Sequence, residues 1–205
     1  MRIVLVRHGE TDGQSSVRYF GATDVRLSRL GRLQMECAAA ALADRQFHSV
    51  YASGLTRARA SARIVAGREP TVLSGFNEID FGEWEGLTVA EIEARDPEAY
   101  AVWRERPAEF RYPGGESTAA FRARVAATLR LVLARDPGTT RLLVLHKGVI
   151  RTILAELLRL DFSARSRLEV DLGSIHTVER AGEGWRAACL NQIDHLTVLG
   201  QSIPR

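Results

Sequence analysis

Three short stretches of this chain bring basic residues, histidine and glycine together where a strand should give way to a turn. Arg7-His8-Gly9 follows the apolar run 2–6, RIVLV. Ser53-Gly54 follows 48–52, HSVYA, with Arg57 one turn into the next segment. His146-Lys147-Gly148 follows 141–145, RLLVL. Ligands of open α/β sheets bind outside the carboxyl ends of the strands. Three such ends would deliver two histidines, two arginines and a lysine to one sheet edge. Glycines there allow close backbone approach, and helix N-termini add amide donors and a positive dipole end. The set suits a phosphate monoester, a dianion near neutral pH. Arginine forks can hold its oxygens in pairs and neutralise charge in the transition state. A neutral imidazole can attack phosphorus in line and give a covalent phosphohistidine. A second imidazole can hydrogen-bond a non-bridging oxygen. The leaving alkoxide still needs a general acid, and the segment 76–86 offers Glu78, Asp80, Glu83 and Glu85. No histidine pair or cysteine pair has metal-ligand spacing. Arginine is therefore expected to supply the positive charge, with no metal and no cofactor.

Elements that alternate along the chain would position these residues. Strands are expected at 2–6, 48–52, around Thr71 to Leu73, and at 141–145. Helices are expected at 28–44, capped by Ser28, and at 54–66. Further helices are expected from Ser117 to about Arg135, ended by Asp136-Pro137-Gly138, and at 148–159. In the first helix Leu33, Cys37, Ala41 and Leu42 make an apolar face. The tail 168–192 reads as two or three strands with a turn at Ala181 to Gly184. This order predicts an α/β fold of three layers, α/β/α, with a mostly parallel mixed sheet and one antiparallel strand. The stretch 75–115 differs in texture. It is rich in glycine and proline and carries Trp84, Tyr100 and Trp103, so it reads as a small helical lobe over the active edge, with short helices within about 88–104.

At 205 residues the chain fits one domain with an elaborated lobe. Charged residues are 26% and hydrophobic residues 45%, ordinary values that exclude collagen, coiled coil and disorder. No run reaches the ~18 apolar residues of a membrane span, and the opening residues lack an export signal. A cytoplasmic protein with no membrane partner is expected. The net charge is +3, but the arginines are dispersed among acids, which argues against a nucleic-acid tract. Lys147 is the only lysine. Cys37 and Cys189 read as buried, reduced thiols.

The motifs also carry a resemblance. LVRHGET (5–11) is similar to the signature of the histidine phosphatase superfamily, in its phosphoglycerate mutase-like branch. FGATDVRLSRLG (20–31), YASGLTRARASA (51–62), FNEIDFGEWEG (76–86), YPGGES (112–117) and LLVLHKGVIR (142–151) resemble its later segments in order. The resemblance implies one phosphoglycerate mutase-like domain over 1–205, closest in size and motifs to the small phosphatases. It makes His8 the phosphoryl acceptor, Arg7 and Arg57 the phosphate clamp, His146 the second pocket histidine and Glu78 the proton donor. Glu83 and Glu85 then read as structural, in the turn around Trp84. Gln14, Phe20, Gly21, Thr23 and Lys147 would bind substrate. Gln14 stands where the family often has asparagine, and Lys147 where it commonly has a small residue.

The implied activity is hydrolysis of a phosphomonoester of a small anionic metabolite, and a homodimer through an edge strand is common in such proteins. A phosphoglycerate mutase would use the same residues, but the mutases resembled carry a longer insertion before the long helix. A non-catalytic phosphate-binding regulator is the rival of another class. Trp84, Trp103, Arg104, Arg106 and Arg111 are candidate specificity contacts. His48 and His176 read as structural, while His195 could return toward the pocket.

Overall fold

In the computed structural model, which describes residues 1–135 and 139–200, the apolar runs become adjacent strands. These are β1 (Arg2–Arg7), β2 (Ser49–Ala52), β3 (Thr71–Val72), β4 (Thr140–Leu145), β5 (Ile175–Ala181) and β6 (Gly184–Gln192). The sheet order is β3-β2-β4-β1-β5-β6. The first four strands are parallel, and β5 runs antiparallel to both β1 and β6. The expected mixed sheet with one reversed strand is present.

Alternation along the strands sends side chains to two cores. Val4 and Val6 of β1 face one cluster, with Met35 and Ala38 of helix α1 (Arg29–Ala41) and Ala62 and Val65 of α2 (Thr56–Ala66). Ile3 and Leu5 face the other, with α5 (Thr118–Ala134) and α6 (Lys147–Leu158). Helices therefore cover both faces, as buried parallel strands require. Ser28 and Ser117 cap α1 and α5, accepting from Gly31 N and Ala120 N. The proposed stop at Asp136-Pro137-Gly138 lies outside the described residues.

The helical region at 88–104 divides into α3 (Val89–Arg95) and α4 (Pro97–Glu105). Asp96 ends the first and caps the second, with proline at the first helical position, where a missing N–H costs nothing. Between β3 and α5 the chain packs on the second core through Phe76, Ile79, Trp84, Ile92, Phe110 and Tyr112. Trp84 is the centre of this packing. Its ring meets Tyr112 and Trp103 edge-on at 5.4 and 6.2 Å, and Phe110 at 5.2 Å.

Three expectations need correction. The buried face of α1 is Gly31, Gln34, Met35 and Ala38, while Leu33 is exposed. Hydrophobicity alone misplaced the face because Gly31 and Gln34 are buried for other reasons. Gly31 lies so close to Glu10 that a Cβ would sit 2.0 Å from its carbonyl oxygen, and Gln34 accepts from Glu10 N at 2.8 Å. Cys37 and Cys189 are only half-buried, though both are free thiols. Trp84 is a core residue and not a substrate contact, with 2% exposure. A short helix, α7 (Phe162–Arg167), and a 3₁₀ segment, Asp194–Leu199, were not foreseen.

Removing the Trp84 indole would leave a void among rings that cannot collapse together. Trp84→Ala is expected to cost about 3–5 kcal/mol of stability, read as a lowered urea midpoint; a loss under 1 kcal/mol would contradict this packing role.

Candidate active site

β1, β4 and β2 are neighbours and parallel, so their carboxyl ends share one edge. β1 delivers Arg7 and His8. β4 delivers His146, which opens α6. β2 delivers Ser53 and Gly54, and the first turn of α2 places Arg57. The backbone locks the two histidine segments together, since His8 N donates to Leu145 O at 3.0 Å. The imidazoles of His8 and His146 lie 5.1 Å apart, centroid to centroid, at 63°.

Each ring is oriented by one bond. Nδ1 of His8 lies 2.7 Å from the carbonyl of Gly9. A carbonyl only accepts, so Nδ1 carries the proton and Nε2 keeps its lone pair. Nε2 of His146 lies 2.7 Å from Ser53 Oγ, and its Nδ1 is buried with no partner among the described residues. Burial, followed by the charges of Arg57 and Arg7, holds His8 well below the ordinary histidine pKa. Burial and then Arg57 do the same to His146. Both rings are therefore neutral at physiological pH.

The arginines are held by carbonyls and not by carboxylates. Arg57, fully buried, donates to Thr23 O at 2.8 Å, Phe20 O at 3.0 Å and Gly21 O at 2.7 Å. Arg7 donates to Val170 O at 2.8 Å. Burial lowers both pKa values, that of Arg7 to about 10, and Glu78 partly offsets the effect. The Nε of each is buried without a partner among the described residues.

Glu78 comes in from the loop after β3, on the face of the sheet that α5 and α6 cover. One carboxylate oxygen accepts from Gly148 N at 2.8 Å and the other from Ile79 N at 3.0 Å. A Cβ at position 148 would approach Glu78 to 2.6 Å, so only glycine leaves room for this bond. Arg124 of α5 fixes the loop behind it. It donates to the carbonyls of Gly75, Asn77 and Glu78 while pairing with Glu116 at 2.8 Å. Glu85 fixes the loop that cradles Arg57. It accepts from the amides of Gly21, Ala22, Thr23 and Phe81 at 2.8–3.3 Å.

These groups border a cavity of about 1140 Å³ that Arg7, His8, Phe20, Glu78, Trp103 and Lys147 help to line. Arg57 and His146 are buried and are not part of this lining. Gly21 and Thr23 contribute carbonyls to Arg57 and do not line the cavity. Gln14 is exposed, at φ 67°, and also lies outside the lining. Arg104 lines the cavity; Arg106 and Arg111 do not. His195 bonds Gly173 O at 3.0 Å, and its neighbour Leu196 reaches the cavity wall instead. His176 is buried in β5, bonded to Ser174 Oγ and Asn191 N. Sequence reading missed Arg151, Arg165 and Asp171, which also line the cavity. Arg151 was within reach, being four residues after Lys147 and hence on the same helical face.

Two arginines, two neutral imidazoles and a tethered carboxylate at one sheet edge make a setting suited to a phosphate group. The chain matches the model of the histidine phosphatase superfamily (branch 1) over residues 3–193 and belongs to that family. It is 36% identical to a glucosyl-3-phosphoglycerate phosphatase of Mycobacterium tuberculosis, over 78% of this chain and 76% of that one. It is 32% identical to phosphoserine phosphatase 1 of Hydrogenobacter thermophilus, over 88% of each. Among solved structures, the alpha-ribazole phosphatase of Shigella flexneri superposes with a TM-score of 0.83 at 27% identity, over 94% of this chain and 96% of that one.

Two outcomes follow from the geometry. Glu85→Ala frees the 21–23 amides and loosens the carbonyl cradle of Arg57. Inorganic phosphate should bind about tenfold or more weakly by calorimetry, with Glu85→Gln intermediate; unchanged affinity would contradict the role. Acid stability provides the second test. His8, His146 and His176 are all buried with lowered pKa values, His176 at about 4. Above about pH 6.5 both folded and unfolded chains hold them neutral. Below it the unfolded chain takes up protons that the folded chain refuses. Stability should therefore fall as pH drops from 6.5, by up to ~1.4 kcal/mol per unit per histidine. Urea midpoints at pH 7.5, 6.5 and 5.5 measure this, and His176→Asn should flatten the slope.

Proposed function

We propose that the protein hydrolyses phosphate monoesters through a phosphohistidine on His8, without a metal. The observation that carries this reading is the orientation of His8: Nδ1 is tied to Gly9 O, which leaves Nε2 as a neutral nucleophile within the field of Arg57 and Arg7. The unpartnered Nε of Arg7 and Arg57 and Nδ1 of His146 suit the non-bridging oxygens of a phosphate. Nε2 of His8 forms a bond to phosphorus as the ester P–O bond breaks, and Glu78 gives its proton to the leaving oxygen. Glu78, now a carboxylate, takes a proton from water. The water oxygen bonds phosphorus, the N–P bond breaks, and phosphate leaves with His8 and Glu78 restored. The arginines neutralise the charge that builds on phosphorus.

The phosphatase names of the relatives support a small phosphorylated metabolite as substrate and favour hydrolysis over mutase chemistry. We read 1–205 as one phosphoglycerate mutase-like domain, with 75–115 as its lobe, working in the cytoplasm. No described helix is long and apolar enough to cross a membrane. A homodimer would use β6, the longer of the two edge strands.

Hydrolysis of p-nitrophenyl phosphate in chelator tests the reading. Wild-type turnover should persist and His8→Ala should lose on the order of 10⁴-fold or more, with acid-labile, base-stable phosphoprotein trapped only in wild type. Turnover abolished by chelator, or retained by His8→Ala, would refute the mechanism.

A further inference from the structure

α6 opens at the active edge, and its first turns carry more than the amide that holds Glu78. Lys147 precedes Gly148 and Arg151 follows it by one turn, so both flank the anchor of the carboxylate and both line the cavity. Arg165 of α7 lines the same wall and donates to Thr152 Oγ1 of α6 at 3.1 Å. Among the described residues, no carboxylate lies within ion-pair distance of Lys147 or Arg151; Arg151 donates only to Leu168 O. The acid that shares this wall is Asp171, and its carboxylate is tied to the Asn191 side chain at 2.8 Å. Lys147 and Arg151 thus keep their positive charge on a cavity wall.

The position of Glu78 says what this charge faces. The acid must touch the leaving oxygen, and it is bonded to Gly148 N. The alcohol portion of the substrate must therefore leave the phosphorus past the start of α6. We propose that Lys147, Arg151 and Arg165 form a second anion subsite, which holds a carboxylate on the alcohol portion of the phosphate monoester. The inference rests on the phosphatase reading and deepens it to a substrate class. Asp171 offsets part of the positive charge, while Glu78, protonated when it serves as the acid, does not. An anion on the substrate therefore completes the balance, and the planar shape of a carboxylate matches an arginine fork. Burial and the neighbouring Arg7 and Arg151 charges bring Lys147 down to about 8, and burial brings Arg165 to about 10. Both shifts are those of cations that an anion would relieve.

The test compares two esters on one carbon skeleton, 3-phosphoglycerate and glycerol phosphate, in which CH₂OH replaces the carboxylate. The readout is the ratio of their kcat/KM values within each protein, so a general loss of activity cancels. Wild type should prefer the carboxylate ester by about tenfold or more. Lys147→Gln and Arg151→Gln should each shrink the ratio, and Arg151→Lys, which keeps charge and loses the fork, should restore part of it. A wild-type ratio near one, or a ratio unchanged in the variants, would overturn the subsite while leaving the phosphatase intact. Failure to turn over even p-nitrophenyl phosphate would take down both readings.

Discussion

Positive charge held away from water, yet not cancelled, is the condition on which this site depends. A guanidinium buried against a carboxylate would be stable but electrically spent. Here the carbonyls of Phe20, Gly21 and Thr23 solvate Arg57, and that of Val170 solvates Arg7. Carbonyl dipoles satisfy donors without removing net charge. Burial, reinforced by the surviving field, keeps two adjacent imidazoles neutral, and the field leaves attraction to spare for a dianion. Such solvation needs carbonyls fixed in space, and loops do not fix themselves. The 20–23 loop is pinned through its amides by Glu85, while Asp171, just after Val170, is tied to Asn191 by two hydrogen bonds. Two carboxylates thus act on the arginines at one remove, through backbone.

The proton-donor candidate is positioned by a different principle. Glu78 belongs to a loop on the same face of the sheet as α6, and its carboxylate is anchored to the start of that helix. Arg124 gathers three carbonyls around the loop and is neutralised by Glu116. The aromatic packing of Trp84 with Phe110 and Tyr112 then joins the lobe to the core beneath. The acid, the lobe and α6 are in this way one mechanical unit.

Much of this was legible in the sequence, for identifiable reasons. Apolar runs ending in His-Gly or Ser-Gly told where strands stop, and parallel topology places such ends together. The sheet with one reversed strand followed from the order of elements. What stayed hidden was work done by the backbone. Gln34 and Gly31 misled the reading of α1, because a hydrogen bond and a close approach, not hydrophobicity, bury them. Glu85 and Arg124 bond mainly to main-chain atoms, which leave no mark in residue types. Trp84 looked like a ligand platform because an aromatic in a glycine-rich loop could serve either end; its ring neighbours decided for the core. Arg165 was missed because α7 itself was, a helix of six residues whose pattern is too short to read.

The 20–23 loop meets both Arg57 and Glu85 through main-chain atoms only. The side chains of Ala22 and Thr23 are therefore spectators of the loop's own architecture. Ala22 and Thr23 are exposed and can be exchanged without disturbing either the carbonyl cradle or the amides that hold it. The loop is a fixed bracket with replaceable fittings. Sequence can therefore drift at these two outward positions while the guanidinium behind them stays where it is.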